Sequence, residues 1–213
     1  MSRPELLARL GTPARVTVVS APPGSGKTVL LRSWIAESAP SGHVASVAVG
    51  RDERDPQRFW LSVLGALRRT DPGSALVRPL TAAPDMDGWT IAERLMKDLA
   101  RLADRVWLVI DDVHELDPDE ALRQLELLVM GGPQELRFVL ATRHDLRLGL
   151  HRLRLEGELT ELRTEDLRFT LDEARELLRG AAVELAEPAL ALLYERTEGP
   201  ANDVSWRHIS DVI

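Results

Sequence analysis

Cysteine is absent from the 213-residue chain, and long apolar runs are missing as well. Without cysteine, disulfide bonds and thiolate metal sites are excluded. No stretch reaches the length of about eighteen apolar residues that a membrane-spanning helix needs. The first residues, Met1 to Glu5, also lack the apolar core of a signal peptide. From these absences we expect a cytoplasmic protein without a membrane contact.

An excess of basic residues is the third thing that the sequence lacks. Lys and Arg number 27 against 34 Asp and Glu, which gives a formal net charge of −7. Non-specific nucleic-acid binding depends on the neutralisation of phosphates, so this balance disfavours it. A local basic stripe contains Arg143, Arg147, Arg152 and Arg154, but acidic residues follow it closely. We therefore expect no direct DNA binding by this chain.

The most informative segment is a glycine-containing loop that follows the apolar run Val16–Val19 and precedes a helix-like run. Its sequence is Ala21-Pro22-Pro23-Gly24-Ser25-Gly26-Lys27-Thr28. Strand, loop and helix in this order are the context of a phosphate-binding loop. The glycines let backbone N–H groups turn toward a polyphosphate, and the helix N-terminus adds a positive dipole.

Each residue of this loop has an expected role in binding ATP or ADP. We expect Lys27 to reach the β- and γ-phosphates and Thr28 to bind Mg²⁺ through its hydroxyl. Ala21 stands where the common pattern has its first glycine. Alanine fits there, because the crowded positions of the loop are Gly24 and Gly26. The whole segment 21–28 is therefore predicted to hold the nucleotide.

Beyond the loop, apolar runs alternate with amphipathic ones. Four further strands are predicted, at residues 44–49, 106–110, 137–142 and 159–162. Between them, helices are predicted after the caps Asp55 and Asp117 and from about Trp89 to Ala103, whereas residues 70–87, rich in proline and glycine, are predicted to form a loop. Strands that alternate with helices imply a parallel sheet with helices on both faces.

The pattern changes to helices alone after Arg163. A capping box at Thr170–Glu173 begins one helix and Pro188 begins another. Two short helices bury too little surface to form an independent core. We therefore predict a P-loop ATPase domain at residues 1–165, and the start of a helical, lid-like domain, truncated in this sequence, at 166–213.

Acidic residues and an arginine follow two of the predicted strands. Asp111 and Asp112 come directly after an apolar strand, and ligands of open parallel sheets bind outside the carboxyl ends of their strands. There Asp111 is expected to bind Mg²⁺, and Asp112 to orient or deprotonate an attacking water. Arg143 ends the next strand and is expected to contact the γ-phosphate. We interpret His114 as a loop residue near this site, and Trp60 as a core residue.

Taken together, these residues resemble one family. The chain is similar to the nucleotide-binding, NACHT/NB-ARC-like region of LuxR-family STAND ATPases (signal-transduction ATPases with numerous domains) of the maltose-regulator type. The resemblance covers about residues 3–199. It is carried by Arg3-Pro4-Glu5-Leu6-Leu7, Val19 to Thr28, Asp55-Pro56-Gln57-Arg58-Phe59-Trp60, Leu108-Val109-Ile110-Asp111-Asp112-Val113-His114, Leu140-Ala141-Thr142-Arg143, Asp166-Leu167-Arg168-Phe169-Thr170 and Arg196-Thr197-Glu198-Gly199.

This resemblance implies a five-stranded sheet in the order 2-3-4-1-5, ATP bound with Mg²⁺, and slow hydrolysis in a regulatory switch. It implies that Lys27 and Thr28 hold the phosphate and the metal and that Asp111 also serves the metal. It further implies that Asp112 serves hydrolysis and that Arg143 senses the γ-phosphate. Residues 3–7 would lie near the adenine or ribose.

The sequence also departs from the family, because family members continue for hundreds of residues and residues 200–213 no longer match. We expect a fragment, a truncated product or a stand-alone relative. Self-association or a partner protein would depend on the missing C-terminal regions, to which inducer and DNA binding also belong.

Two other functions stay open at this point. A small-molecule P-loop kinase would need a mobile arginine-rich lid, for which residues 147–154 are a candidate, and an acceptor pocket. A non-hydrolysing module that holds ADP would need the same phosphate contacts as a switch. The Asp111-Asp112 pair favours activation of water over transfer to an acceptor.

Overall fold

The computed structural model describes residues 3–180, except 38, 81–86, 117–119, 147 and 169, together with residue 189. Five parallel strands form its sheet: β1 (Val16–Ser20), β2 (Val44–Ala48), β3 (Val106–Asp111), β4 (Leu136–Thr142) and β5 (Leu159–Leu162). The strands are arranged in the order β2-β3-β4-β1-β5, and every pairing is parallel. The predicted α/β class and the strand order implied by the resemblance are therefore confirmed.

Helices connect the strands and cover both faces of the sheet. They are α1 (Pro4–Leu10), α2 (Lys27–Glu37), α3 (Pro56–Arg68), α4 (Asp71–Leu76), α5 (Gly88–Leu99), α6 (Glu120–Gly131), α7 (His151–Leu155), α8 (Thr164–Leu167) and α9 (Leu171–Gly180). Two short 3₁₀ turns lie at Asp52–Arg54 and Val113–Glu115. None of the helices in the described part of the chain is long and apolar enough to cross a membrane.

The central strands β3, β4 and β1 are largely apolar on both faces, because helices bury both sides of the sheet there. Val19 packs with Trp34 and the other apolar residues of α1 and α2 in one cluster. Its neighbour Val18 points the other way, into a cluster that contains Phe59 of α3 and Leu95 of α5. A sheet that is buried on both faces produces the continuous apolar runs seen in the sequence.

Helix α3 shows how local sequence and packing agree. The carboxylate of Asp55 accepts a hydrogen bond of 2.9 Å from the backbone N–H of Arg58, and Pro56 occupies the first turn. This is the predicted cap, and it starts a helix whose apolar face is buried. Trp60 is fully buried there, and its indole N–H donates to Oε1 of Gln124 at 2.6 Å. Trp60 is therefore a core residue, as predicted.

The predicted loop at residues 70–87 is wrong in its first part, because α4 occupies Asp71–Leu76. Thr70 caps this helix by accepting a hydrogen bond from the N–H of Gly73 at 3.1 Å. A Cβ on Gly73 would lie 2.0 Å from the carbonyl oxygen of Leu67. The glycine therefore permits a close helix–helix approach, whereas the proline and glycine content of residues 70–87 predicts a loop.

The chain after β5 returns to α1. Thr170 and Glu173 form the predicted capping box, with bonds of 3.2 Å and 2.8 Å between side chains and backbone N–H groups. Arg3 donates to the carbonyl oxygen of Leu167 at 2.8 Å and to Oε1 of Glu173 at 2.9 Å. The predicted cap Asp117 and the helix from Pro188 lie outside the described residues. The division of the chain near residue 165 remains a prediction.

Candidate functional site

The candidate site begins where β1 ends, between β4 and β5. Gly24 and Gly26 have φ angles of 80° and 83°, which are readily accessible only to glycine. The N–H of Ala21 donates to the carbonyl oxygen of Thr142 at 3.2 Å and so fixes the start of the loop to β4. Helical hydrogen bonding begins at the carbonyl of Gly26, which accepts from Leu30 at 2.9 Å. The predicted strand–loop–helix is therefore present.

Lys27 lies inside this loop. Its ammonium group donates to the carbonyl oxygens of Ala21 at 2.6 Å and Pro22 at 2.8 Å, and to Oγ of Ser25 at 3.4 Å. The residue is only 6% exposed. Burial lowers the pKa of Lys27, and the charges of Asp112 and Asp111 partly oppose that shift. The loop thus surrounds a positive charge that is largely removed from water.

Thr28 and Asp111 meet beside this charge, although they lie on α2 and β3. The Thr28 hydroxyl donates to Oδ2 of Asp111 at 2.7 Å, and Asp111 is 8% exposed. Hydroxyl and carboxylate oxygens are the ligands that Mg²⁺ prefers. Within the described ranges, no group of three or more His, Cys, Asp or Glu residues could hold a metal. The Thr28–Asp111 pair offers two oxygen ligands of the kind that an ion such as Mg²⁺ takes.

Asp112 follows directly and has an uncommon backbone conformation. Its φ of 56° lies in the left-handed region, and no other described non-glycine residue has a positive φ. Its N–H donates to Oδ1 of Asp111 at 2.9 Å, which connects the turn to the Thr28–Asp111 pair. Such strained positions cluster at functional sites. The turn keeps the Asp112 side chain about one-third exposed (36%), while Asp111 stays buried.

Arg143 directly follows β4, the strand that lies between β1 and β3. Since β4 pairs with both β1 and β3, the placement on which its predicted role depends is confirmed. Its side chain is exposed, and its charge lowers the pKa of Lys27 and of His114. Arg143 thus faces the same space as the loop and the acids. Its contact with a γ-phosphate remains a prediction.

Sequence reasoning did not anticipate how closely a second group of residues surrounds Asp112. His114 lies in the turn after β3, as predicted for a loop residue, but its side chain is only 10% exposed. Its ring packs edge-to-face on His144, with centroids 6.1 Å apart. Glu115 hydrogen-bonds to Arg54, whose guanidinium lowers the pKa of Glu115. The one signal available was that Asp111 and His114 lie three positions apart, a spacing at which a turn can bring two side chains together.

Two arginines of the basic stripe at residues 143–154 are paired with carboxylates. Arg152 pairs with Glu156 at 2.8 Å, and Arg154 pairs with Glu161 at 2.8 Å. Between α7, β1 and β5 lies a cavity of about 270 Å³, whose lining includes Ser20. Arg147 lies outside the described residues. The lid role of residues 147–154, which the kinase alternative needs, stays a prediction.

Comparisons with known proteins agree with this geometry. A protein-family model described as an AAA domain matches residues 10–150. The serine/threonine-protein kinase PknK of Mycobacterium tuberculosis is 29% identical over 178 residues, which are 82% of this chain and 16% of PknK. The transcriptional regulator MalT is 28% identical over 178 residues in Serratia proteamaculans (82% of this chain, 19% of MalT). The MalT of Cronobacter sakazakii is 26% identical over 191 residues, which are 88% of this chain and 21% of that MalT. The chain thus spans about a fifth or less of these relatives, and the predicted kinship with MalT-type regulators is confirmed.

Solved structures show the same fold. Cdc6p of Pyrobaculum aerophilum matches with a TM-score of 0.55 and 19% identity, over 87% of this chain and 51% of that one. A Walker-type ATPase of Pyrococcus abyssi matches with a TM-score of 0.56 and 13% identity, over 93% of this chain and 63% of that one. At these identities the likeness concerns the arrangement of strands and helices alone. It confirms the predicted P-loop ATPase fold.

Proposed function

The chain belongs to the AAA domain family of P-loop proteins, and from this premise we propose that it binds ATP or ADP with Mg²⁺ and hydrolyses ATP slowly as a regulatory switch. One observation carries the proposal. The buried ammonium of Lys27 lies beside the hydrogen-bonded pair of Thr28 and Asp111. A positive charge and a hard-cation site side by side are what a metal–polyphosphate complex requires.

The phosphates would bind in the loop 21–28. Its N–H groups and the N-terminus of α2 supply hydrogen-bond donors and a positive dipole. Lys27 would exchange some of its bonds to loop oxygens for bonds to the β- and γ-phosphates. Charge-assisted bonds of this kind are about twice as strong as neutral ones.

Thr28 and Asp111 would hold the Mg²⁺. The Thr28 hydroxyl, which now donates to Asp111, would turn its lone pair to the metal, and the Asp111 carboxylate would bind it directly or through water. When bound, the ion neutralises charge that develops on the phosphates. The other steps depend on side chains of this chain.

Asp112 and Arg143 would act at the γ-phosphate. The left-handed turn at Asp112 keeps its carboxylate partly exposed, where it can orient or deprotonate a water molecule. Arg143 approaches from β4, and its planar guanidinium is suited to phosphate oxygens. Because only ATP has a γ-phosphate, Arg143 would distinguish ATP from ADP.

The similarity to MalT, a transcriptional regulator, supports the switch role. Since the chain spans about a fifth of such relatives, sensing of a signal, binding of DNA and contacts with partners would belong to regions outside it. In this proposal the chain supplies the nucleotide-dependent step of signal transduction. Arg3 and its neighbours in α1 would lie near the base or ribose.

Two experiments in sequence test the proposal. Mass spectrometry of the denatured, purified protein identifies the nucleotide that it retains. Steady-state phosphate release, with Mg²⁺ and with a chelator, then measures turnover. We expect retained ATP or ADP and slow, Mg²⁺-dependent release. Retained ADP without turnover would favour the non-hydrolysing module, and calorimetry that detects no nucleotide binding would refute the proposal.

A further inference from the structure

The imidazole of His114 is buried without a hydrogen-bond partner. Both ring nitrogens are removed from solvent, and neither is paired within the part of the chain that the structure describes. A buried polar group that lacks a hydrogen bond destabilises the folded protein. Such a group calls for an explanation in the site that surrounds it.

Two carboxylates flank the ring. Nδ1 of His114 lies 3.8 Å from Oδ1 of Asp112, and Nε2 lies 3.5 Å from Oε1 of Glu115. The Glu115 carboxylate already accepts a hydrogen bond from Arg54. The Asp112 carboxylate accepts none from the described residues, so it is the carboxylate that lacks a donor.

The ring itself is held in place from the opposite side. His144 packs edge-to-face against it, and the hydroxyl of Thr142 fixes the backbone of His144 through bonds of 2.9 Å and 3.3 Å. Burial and the charge of Arg143 lower the pKa of His114, while Asp112 and Glu115 oppose that shift. A neutral imidazole carries one N–H, so its tautomer determines which carboxylate it can contact.

We propose that His114 donates its Nδ1–H to Asp112 and holds that carboxylate in the orientation in which it acts on water. A movement of about 1 Å brings the 3.8 Å pair within ordinary hydrogen-bond distance. In this proposal His114 is a positioning residue, because it acts on the water only through Asp112. This inference rests on the proposed hydrolysis, since an orientation of Asp112 matters only if Asp112 serves turnover.

The first test reads the tautomer of His114 by NMR on protein with ¹⁵N-labelled histidine. We expect the Nδ1–H form in the wild type and a shift to the Nε2–H form in Asp112→Ala. A wild type in the Nε2–H form, or a tautomer that Asp112→Ala leaves unchanged, would overturn the proposal. This measurement needs no ATP, so it decides the contact even if the proposed function fails.

The second test is a double-mutant cycle of single-turnover ATP hydrolysis. His114→Ala should lower turnover on the order of tenfold, as loss of an orienting partner does, without a change in ATP affinity. His114→Asn, which keeps an N–H near the position of Nδ1, should restore part of the rate. In the Asp112→Ala background, His114→Ala should have no further effect. The matched control is His151→Ala, an exposed histidine on α7.

An equal loss of turnover in both backgrounds would show that His114 acts independently of Asp112 and would refute the proposal. A loss of ATP affinity in His114→Ala would also contradict it, because it would indicate a role in the fold of the loop. Failure of the wild type to bind nucleotide, by contrast, would refute the proposed function and leave the tautomer to decide the His114–Asp112 contact.

Discussion

Replacement of Lys27 by alanine tests the phosphate-binding loop most directly. The three N–H groups of an ammonium are directed at three loop oxygens, those of Ala21, Pro22 and Ser25. A bound phosphate must therefore replace at least one of these bonds. The bond that replaces it joins two opposite charges and is the stronger one.

The size of the effect follows from that exchange. Hydrogen bonds to charged groups contribute about 1.5–3 kcal/mol, which corresponds to roughly tenfold to hundredfold in affinity. Because Lys27 is only 6% exposed, little of this interaction is screened by solvent. We therefore expect Lys27→Ala to weaken binding of Mg²⁺–ATP by such a factor. ADP, which retains the β-phosphate, should be weakened as well.

Isothermal titration calorimetry on wild type and variant measures this difference. Lys97, exposed on α5, provides a matched control, since Lys97→Ala removes the same charge on the same scaffold. Thermal unfolding of each variant verifies that the loop variant is folded. Equal affinities of wild type and Lys27→Ala would refute the assignment of residues 21–28 to phosphate binding.

Three further predictions concern the surrounding residues. Asp112→Asn should lower ATP turnover with little change in nucleotide affinity, and hydrolysis at the wild-type rate would contradict the role of Asp112. Arg143→Ala should weaken binding of an ATP analogue by roughly tenfold or more and leave ADP binding nearly unchanged, because a charge-assisted contact to the γ-phosphate is worth about 1.5–3 kcal/mol; an equal loss for both nucleotides would exclude γ-phosphate sensing. Since the hydrogen bond from Arg54 lowers the pKa of Glu115 in the folded protein, this pair contributes stability above the unfolded pKa of about 4.3 and loses it as pH falls through the folded value. Denaturant unfolding across that acidic range should therefore show a decline in the wild type that is smaller in Glu115→Gln, and parallel curves would argue against the coupling.

The sequence alone was sufficient to predict the elements whose signals are local in the chain. Strand β3 is an unbroken apolar run, α3 has its cap at Asp55, and the loop 21–28 has its glycines at the two left-handed positions. These features depend on neighbours in the chain. The order of the strands in the sheet does not depend on neighbours in the chain, because no local pattern indicates which strand pairs with which. It came from resemblance to a family.

The features that escaped prediction depend on contacts between distant segments. Gly73 contributed to the prediction of a loop at residues 70–87, because composition does not show the close approach of Leu67 that requires a glycine. The surroundings of His114 combine β3 with the residues that follow β2 and β4. His114, Arg54 and His144 lie far apart in the sequence. Only the order of the strands brings them together at the edge of the sheet where β2, β3 and β4 end.

The position of β1 between β4 and β5 has a consequence for how the protein is made. Val16 pairs with Phe138 on one side and with Leu159 on the other. Both of these partner residues are translated more than a hundred residues after Val16. Non-local parallel pairing of this kind forms slowly, and β1 with its loop waits for both neighbours while the intervening residues are synthesised. The loop 21–28 can therefore acquire its final shape only after β4 and β5, which are translated well after it, have joined the sheet.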